Sequence, residues 1–184
     1  MSTVFSIEGN IGAGKTTFLG RLRTMFAGDP RVVFVEEPTA EWEALRDEQG
    51  AGMLECYYRN QDRYAFPFQM LAFISRLTAL RRALATGPAV VVTERSLETD
   101  RRVFAQMLHD SGHIGQLEMS IYLTWFDEFL KDIPPVKHLY LRCNPRTASE
   151  RVKRRARTGE RGGHEHTTTS GTAAREEPGA RMVE

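Results

Sequence analysis

The sequence predicts an α/β fold, a parallel sheet flanked by helices. Two observations carry this. Apolar runs of four or five residues alternate with longer stretches of helical period, and short runs without strict alternation suit strands covered on both faces of a parallel sheet. A glycine-rich phosphate motif also stands at the first strand-to-helix junction, at the carboxyl edge where open α/β sheets bind ligands. The chain has 184 residues, enough for one domain of ordinary size.

In chain order, Val4–Ile7 reads as the first strand and Lys15–Phe26 as the first helix. Val32–Val35 is the second strand. Phe68, Leu71, Ile74, Leu77, Leu80 and Leu84 recur close to a helical period, so 68–84 is a helix that follows Pro67. Ala89–Thr93 is the third strand. Gln116–Leu130 is a helix with apolar residues almost all round, expected to be buried or at a subunit interface. His138–Leu141 is the fourth strand. Residues 142–161 then hold eight basic residues against two acidic ones. From Gly162 to Glu184 the only large aliphatics are Met182 and Val183, too little apolar surface to offset ordering entropy. The expected organisation is therefore one domain over 1–160 and a disordered polar tail over 161–184.

Hydrophobic residues make up 41% and charged residues 27%, which excludes a collagen, a disulfide scaffold or a wholly disordered chain. A net charge of +1 gives no global reason to bind nucleic acid or an acidic membrane. No stretch approaches the roughly 18 apolar residues of a membrane span. Cys56 and Cys143 lie far apart without CxxC spacing, as in a reducing compartment. The N-terminus lacks the pattern of a targeting signal, and the expected location is the cytoplasm. His109 and His113 are spaced i, i+4, but Gly112 interrupts the helix and no third ligand is near in sequence, so no metal is expected there.

Gly9, Asn10, Ile11, Gly12, Ala13, Gly14, Lys15 and Thr16 fit GxxxxGK[ST], with Thr17 next. Glycines let backbone N–H groups curl around phosphate oxygens, and the helix N-terminus adds its dipole. Lys15 supplies a cation and Thr16 a hydroxyl for Mg²⁺. Nucleoside triphosphate binding is the firmest reading. Asp47–Gly50 matches the DxxG of GTPases, but no strand leads into it and no NKxD follows.

Other residues gain meaning from their place at strand ends. Glu36 and Glu37 follow the second strand, with Trp42 just beyond Pro38. A carboxylate there can take a proton from an attacking hydroxyl, although an exposed acidic loop is the simpler account of composition alone. Glu94 and Arg95 follow the third strand, where opposite charges must pair or face a ligand. Glu94 can hold Mg²⁺ through water, and Arg95 can stabilise a transferring phosphoryl group; a structural ion pair is the alternative. Gln69 and Arg76 share a helix face with Ala72, and a Gln amide can bond the donor and acceptor of a nucleobase edge. Asp100 and Phe104, at i and i+4, can present a carboxylate beside an aromatic plate; a helix surface with a core Phe is the alternative.

The order Gly9–Thr16, Glu37-Pro38…Trp42, Tyr57-Tyr58, Arg63-Tyr64-Ala65-Phe66-Pro67-Phe68-Gln69, Glu94-Arg95-Ser96 and Arg151–Arg157 resembles the deoxyribonucleoside kinases, which include deoxycytidine, deoxyguanosine and mitochondrial-type thymidine kinases and viral relatives. The resemblance covers about residues 3–160. It implies a P-loop kinase fold with an Arg-rich lid over about 145–160, and transfer of phosphate from ATP, with Mg²⁺, to a deoxyribonucleoside 5′-hydroxyl. Glu37 is then the base and Arg95 its neighbour at that hydroxyl. Glu94 lies near the Mg²⁺, Trp42 and Phe104 flank the base, and Gln69 bonds its edge. Tyr58 holds the 3′-hydroxyl together with Glu160, and Arg151 and Arg155 reach the donor phosphates. Ala72, Arg76 and Asp100 match the base-pocket pattern of the deoxycytidine and deoxyguanosine kinases. Asp100, held charged by Arg76, would accept from an exocyclic amino group, where thymine offers only an acceptor. The resemblance also implies a homodimer.

Family members continue past the lid with a helix, a further strand and a closing helix, where this sequence has Arg161-Gly162-Gly163-His164 and the polar tail. A short viral form and a truncated product both fit that departure. Two rival readings stand beside the kinase: a nucleoside monophosphate kinase on the same scaffold, and a truncated, non-catalytic nucleotide-binding protein.

Overall fold

The computed structural model describes residues 2–155, with only the backbone of Arg155. Four strands form one parallel sheet in the order β2-β3-β1-β4. These are β1 (Thr3–Glu8), β2 (Val32–Val35), β3 (Val90–Glu94) and β4 (Val136–Tyr140). Val4 pairs with Val91 on one side and with Val136 on the other. The central pair β1 and β3 carries the fully buried apolar residues Val4, Ile7 and Val91. β2 is only half-buried, and Lys137–Tyr140 of β4 are exposed. Burial on both faces, expected of every strand, therefore holds for the central pair alone, because β2 and β4 are the sheet's edges among the described residues.

The helices follow in chain order: α1 (Lys15–Met25), α2 (Thr39–Ala44), α3 (Met53–Arg59), α4 (Gln61–Ala85) and α5 (Leu97–Thr99). α5 runs through a π-helical stretch, Asp100–Ala105, into α6 (Gln106–Asp110). α7 (Gln116–Phe129) and α8 (Pro145–Arg155) complete the described chain. Val4, Phe73, Leu77, Tyr122 and Phe126 belong to one core that joins the sheet to α4 and α7. Ile7, Leu19 and Val92 pack the other face against α1.

The structure also departs from the sequence reading at α4, at β4 and at the segment after α5. α4 begins at Gln61 and runs through Pro67. Asn60 caps it, its Oδ1 accepting from Arg63 N–H at 3.1 Å. Proline removes the bond that would reach the Arg63 carbonyl, but Pro67 and Arg63 are exposed, so water can serve that group. β4 starts two residues early because it follows directly on Pro134-Pro135. Asp100 and Phe104 lie on the wider π turn rather than on an α-helix, a local geometry frequent at functional sites. Glu160 and the tail over 161–184 lie outside the described residues, as does the end of the lid.

Candidate active site

Parallel strands bring their carboxyl ends to one edge, and the chain leaves that edge in opposite directions from β1 and β3. This places the loop after β1, Glu37 after β2, and Glu94-Arg95 at the end of β3 around a single cleft. Its volume is about 550 Å³.

One end is the phosphate loop, Gly9–Thr16. Gly12 adopts φ 79°, and a Cβ there would stand 2.3 Å from the Ala148 carbonyl oxygen of α8. Glycine is thus required both by the backbone and by the close approach of α8. Gly14 caps α1 at φ 99°, and no acidic residue sits in the helix's first turn to compete with an anion. Lys15 Nζ donates to the Gly9 and Asn10 carbonyls at 3.1 and 3.0 Å. Burial, with Arg95 nearby, pushes this ammonium down to about 8, against the attraction of Glu94, Glu37 and Glu8. Arg151 Nη1 donates to Ala13 O at 3.3 Å, so α8 lays an arginine on the loop.

The middle of the cleft holds three carboxylates and two guanidiniums. Arg76 Nη2 donates to Glu37 Oε1 at 2.5 Å, and Arg95 Nε lies 3.7 Å from the same oxygen. Burial alone would raise the Glu37 pKa, but Arg76, Arg95 and Lys15 outweigh it and hold the carboxyl below its ordinary value. Arg76 Nε stands 3.0 Å from Asp100 Oδ2, an ion contact without hydrogen-bond alignment. Asp100 is fully enclosed, and burial pushes it up to about 6 against the pull of Arg76. Glu94 is raised too, by burial and by the Glu37 charge. Its Oε1 accepts Thr16 Oγ1 at 3.0 Å, which sets a hydroxyl and a carboxylate side by side at the mouth of the loop. Arg95 holds φ 66°, a left-handed backbone, and its guanidinium lies 4.9 Å over the Phe104 ring.

The far end is aromatic. Trp42 is buried, Nε1 donating to Ser75 Oγ at 2.9 Å, and Phe68 packs edge-on against it at 5.3 Å. Gln69, Ala72 and Arg76 line the cleft from one face of α4. Gln69 Nε2 donates to Asp100 O at 3.2 Å. Tyr58, Asp100 and Phe104 also line the cleft.

A family model for deoxynucleoside kinases matches residues 5–165. The chain belongs to the deoxynucleoside kinase family. It is 35% identical over 155 residues to the probable deoxycytidine kinase of fowlpox virus, covering 83% of this chain and 61% of that protein. It is 34% identical over 179 residues to the deoxycytidine kinase of Homo sapiens, covering 85% of this chain and 67% of that protein. It is 29% identical over 161 residues to the mitochondrial thymidine kinase 2 of Macaca fascicularis, covering 86% of this chain and 57% of that protein. The chain thus spans about three-fifths to two-thirds of the length of these relatives.

In this deoxynucleoside kinase fold, Glu37, Arg95, Thr16, Glu94, Trp42, Tyr58, Gln69, Arg76, Asp100, Phe104 and Arg151 line one cleft with Ile11, Gly12, Gly14, Lys15 and Thr17. Arg155 is placed only by its backbone, at the end of α8, and Glu160 lies outside the described residues. Arg76 stands beside Asp100, the neighbour the sequence gives it, and also holds Glu37, a contact the sequence does not signal. Ser75 behind Trp42 and Leu54 in the cleft wall also lie outside the sequence-based assignment. Ser75 was open to discovery, since it stands one residue from Arg76 on a helix already assigned. Leu54 was not, because α3 shows no periodic pattern. His109 and His113 point to different partners, the Ile114 carbonyl and Asp62.

Proposed function

We propose that the chain transfers the γ-phosphoryl group of ATP to the 5′-hydroxyl of a deoxyribonucleoside. The observation that carries this is the position of Glu37, ionised and held by Arg76 and Arg95, between the phosphate loop and the aromatic end of one cleft. The loop's N–H groups, the α1 dipole and Lys15 would bind the donor phosphates. Glu37 would take the 5′-hydroxyl proton as that oxygen bonds to phosphorus and the bridging oxygen leaves with ADP. Arg95 and Arg151 would balance the charge on the transferring group. The low pKa of Glu37 keeps it ionised at neutral pH. Its weak basicity suits a loose transition state, in which little proton transfer is needed early.

The oxygen pair of Thr16 and Glu94 fits Mg²⁺, a hard cation that keeps several waters and takes one or two protein ligands beside substrate phosphates. Bound there, the ion would neutralise phosphate charge. Trp42 and Phe104 would flank the base, Gln69 bond its edge, and Tyr58 hold the 3′-hydroxyl. Asp100, paired with Arg76 and mostly ionised at pH 7, would accept from an exocyclic amino group, which favours deoxycytidine or a purine deoxynucleoside over thymidine. A homodimer belongs to the same reading, because Leu117, Ile121 and Trp125 form a stripe on α7 exposed by 75%, 40% and 46%. So does a reducing, cytoplasmic setting, since Cys56 and Cys143 are unpaired. No helix among the described residues is long and apolar enough to cross a membrane.

The test is transfer of radiolabelled γ-phosphate from ATP to each of four deoxynucleosides by purified protein. The expected product is the 5′-monophosphate, with deoxycytidine or a purine preferred. Tight ATP binding with no transfer to any of the four would overturn the reading.

A further inference from the structure

Glu8 ends β1 directly before the phosphate loop and is buried. A buried carboxylate is costly unless its oxygens are bonded, and both of these are. Oε2 accepts from Thr99 Oγ1 at 2.7 Å, and Oε1 accepts from Ser6 Oγ at 2.9 Å. Ser6 Oγ also lies 2.8 Å from His138 Nδ1. Ser6 has one proton and gives it to Glu8, so His138 donates from Nδ1, which assigns that tautomer to the neutral ring. Burial opposes the Glu8 charge, but hydrogen bonds from Ser96, Thr99 and Ser6 and the nearby Arg95 bring its pKa below the ordinary value. The carboxylate is thus a fixed anion with donors on three sides.

Thr99 ends α5, and its N–H donates to Ser96 Oγ at 3.1 Å. This one-turn segment joins two groups of the cleft, with Arg95 just before it and Asp100 just after. Arg95 is held in its left-handed conformation by its own N–H, which donates to Ile7 O at 3.1 Å, and by Thr93 Oγ1, which donates to its carbonyl at 2.8 Å. Those bonds fix the Arg95 backbone to the sheet. A non-glycine residue persists in that region only where its surroundings over-determine it. The Glu8–Thr99 bond ties the end of β1 to the far end of this turn.

We propose that Glu8 is a positioning residue: by clamping Thr99 to the end of β1, it fixes the Ser96–Thr99 turn and so sets the Arg95 guanidinium and the Asp100 carboxylate relative to the phosphate loop. Glu8 touches no reacting atom in this scheme, and the proposal rests on the kinase reading for its catalytic consequence.

The experiment uses the full chain with two test variants, Thr99→Val and Glu8→Gln, and two controls, Thr99→Ser and Arg95→Lys. Thr99→Val keeps the shape of the side chain and removes only its hydroxyl. Glu8→Gln keeps the heavy atoms and weakens the acceptor, and it gives the same readouts whether or not the valine variant folds. The first readout needs no catalysis. It is the water-exchange rate of the Arg95 Nε–H signal in ¹⁵N NMR, assigned by its loss in Arg95→Lys. Exchange is expected to speed up about tenfold or more in both variants, as local order is lost, and to recover in Thr99→Ser. The second is steady-state transfer from ATP to the preferred deoxynucleoside. The expected result is kcat lower by about ten- to a hundredfold, as for a small misplacement of a catalytic group, with nucleoside KM little changed. Arg95 Nε–H exchange equal to wild type in both variants, or a loss confined to KM and thermal stability, would overturn the role of Glu8. A wild-type protein that transfers no phosphate would overturn the kinase reading alone, and the exchange measurement would still decide whether Glu8 orders Arg95.

Discussion

Glu37→Gln separates chemistry from binding at the centre of the cleft. Glutamine keeps the size of the side chain and an oxygen that can still accept from Arg76, now 2.5 Å from Glu37 Oε1. It cannot take a proton. Removing a general base lowers rate by about 10²–10⁴, equivalent to roughly 3–5 kcal/mol of transition-state stabilisation. The Arg76 bond changes from charge-assisted to neutral, a loss of about 1 kcal/mol in stability. The stability effect has a sign in pH. Glu37 has a folded pKa below its unfolded value, so its contribution is present above the unfolded value and is lost as pH falls through the folded one. Wild type should therefore exceed the variant in stability at pH 7, and the gap should close on acidification. Radiolabel transfer gives kcat, calorimetry gives deoxynucleoside Kd, and urea unfolding at several pH values gives the gap. A variant that keeps most of its turnover would refute Glu37 as the base. A gap that widens in acid would refute the account of its charge.

Further outcomes follow from the same geometry. Arg76→Met with Asp100→Ala should move kcat/KM from deoxycytidine toward thymidine by about 10- to 100-fold, the worth of one buried unpaired polar group; a wild type that prefers thymidine tenfold would contradict the Arg76–Asp100 argument. Asp100 sits at about 6 in the fold, above its unfolded value, so its contribution is full below that unfolded value and is lost as pH rises through 6. The stability of wild type relative to Asp100→Asn should accordingly decline from pH 4 to pH 7, and a constant difference in urea unfolding would contradict the burial argument. Gly12→Ala would force a Cβ to within 2.3 Å of Ala148 O at φ 79°. That should cost about 1–3 kcal/mol, seen as a lower urea midpoint, and an unchanged midpoint would mean α8 does not pack as described.

The phosphate loop was legible in the sequence because its chemistry needs consecutive residues at fixed spacing, as Gly9–Thr16 supplies. The strands β1, β2 and β3 were legible because Val-rich runs are short and sharply bounded. Glu37, Trp42 and Asp100 were not readable from local pattern, since an acidic loop and a helix surface produce the same composition. They became candidates only through their order along the chain. α2 and α3 give no clear signal in the sequence because each is under two turns and mixes polar with apolar residues. Pro67 hid the first turns of α4, since proline is a fair boundary signal except where the freed carbonyl faces water. The Arg76–Glu37 contact spans 39 residues, and no sequence period encodes it.

Arg95 pulls two kinds of selection in opposite directions. At φ 66° an arginine carries a backbone penalty of roughly 1–2 kcal/mol that glycine would not. Arg95→Gly would therefore relax the main chain while removing the guanidinium from the cleft. A population selected for phosphoryl transfer would hold the arginine despite that backbone penalty. A gene copy freed from that duty loses the restraint, and the relaxed main chain is then set only against the lost contacts with Glu37 and Phe104. The residue at position 95 would then record, across descendant lineages, how long the chemistry had been needed.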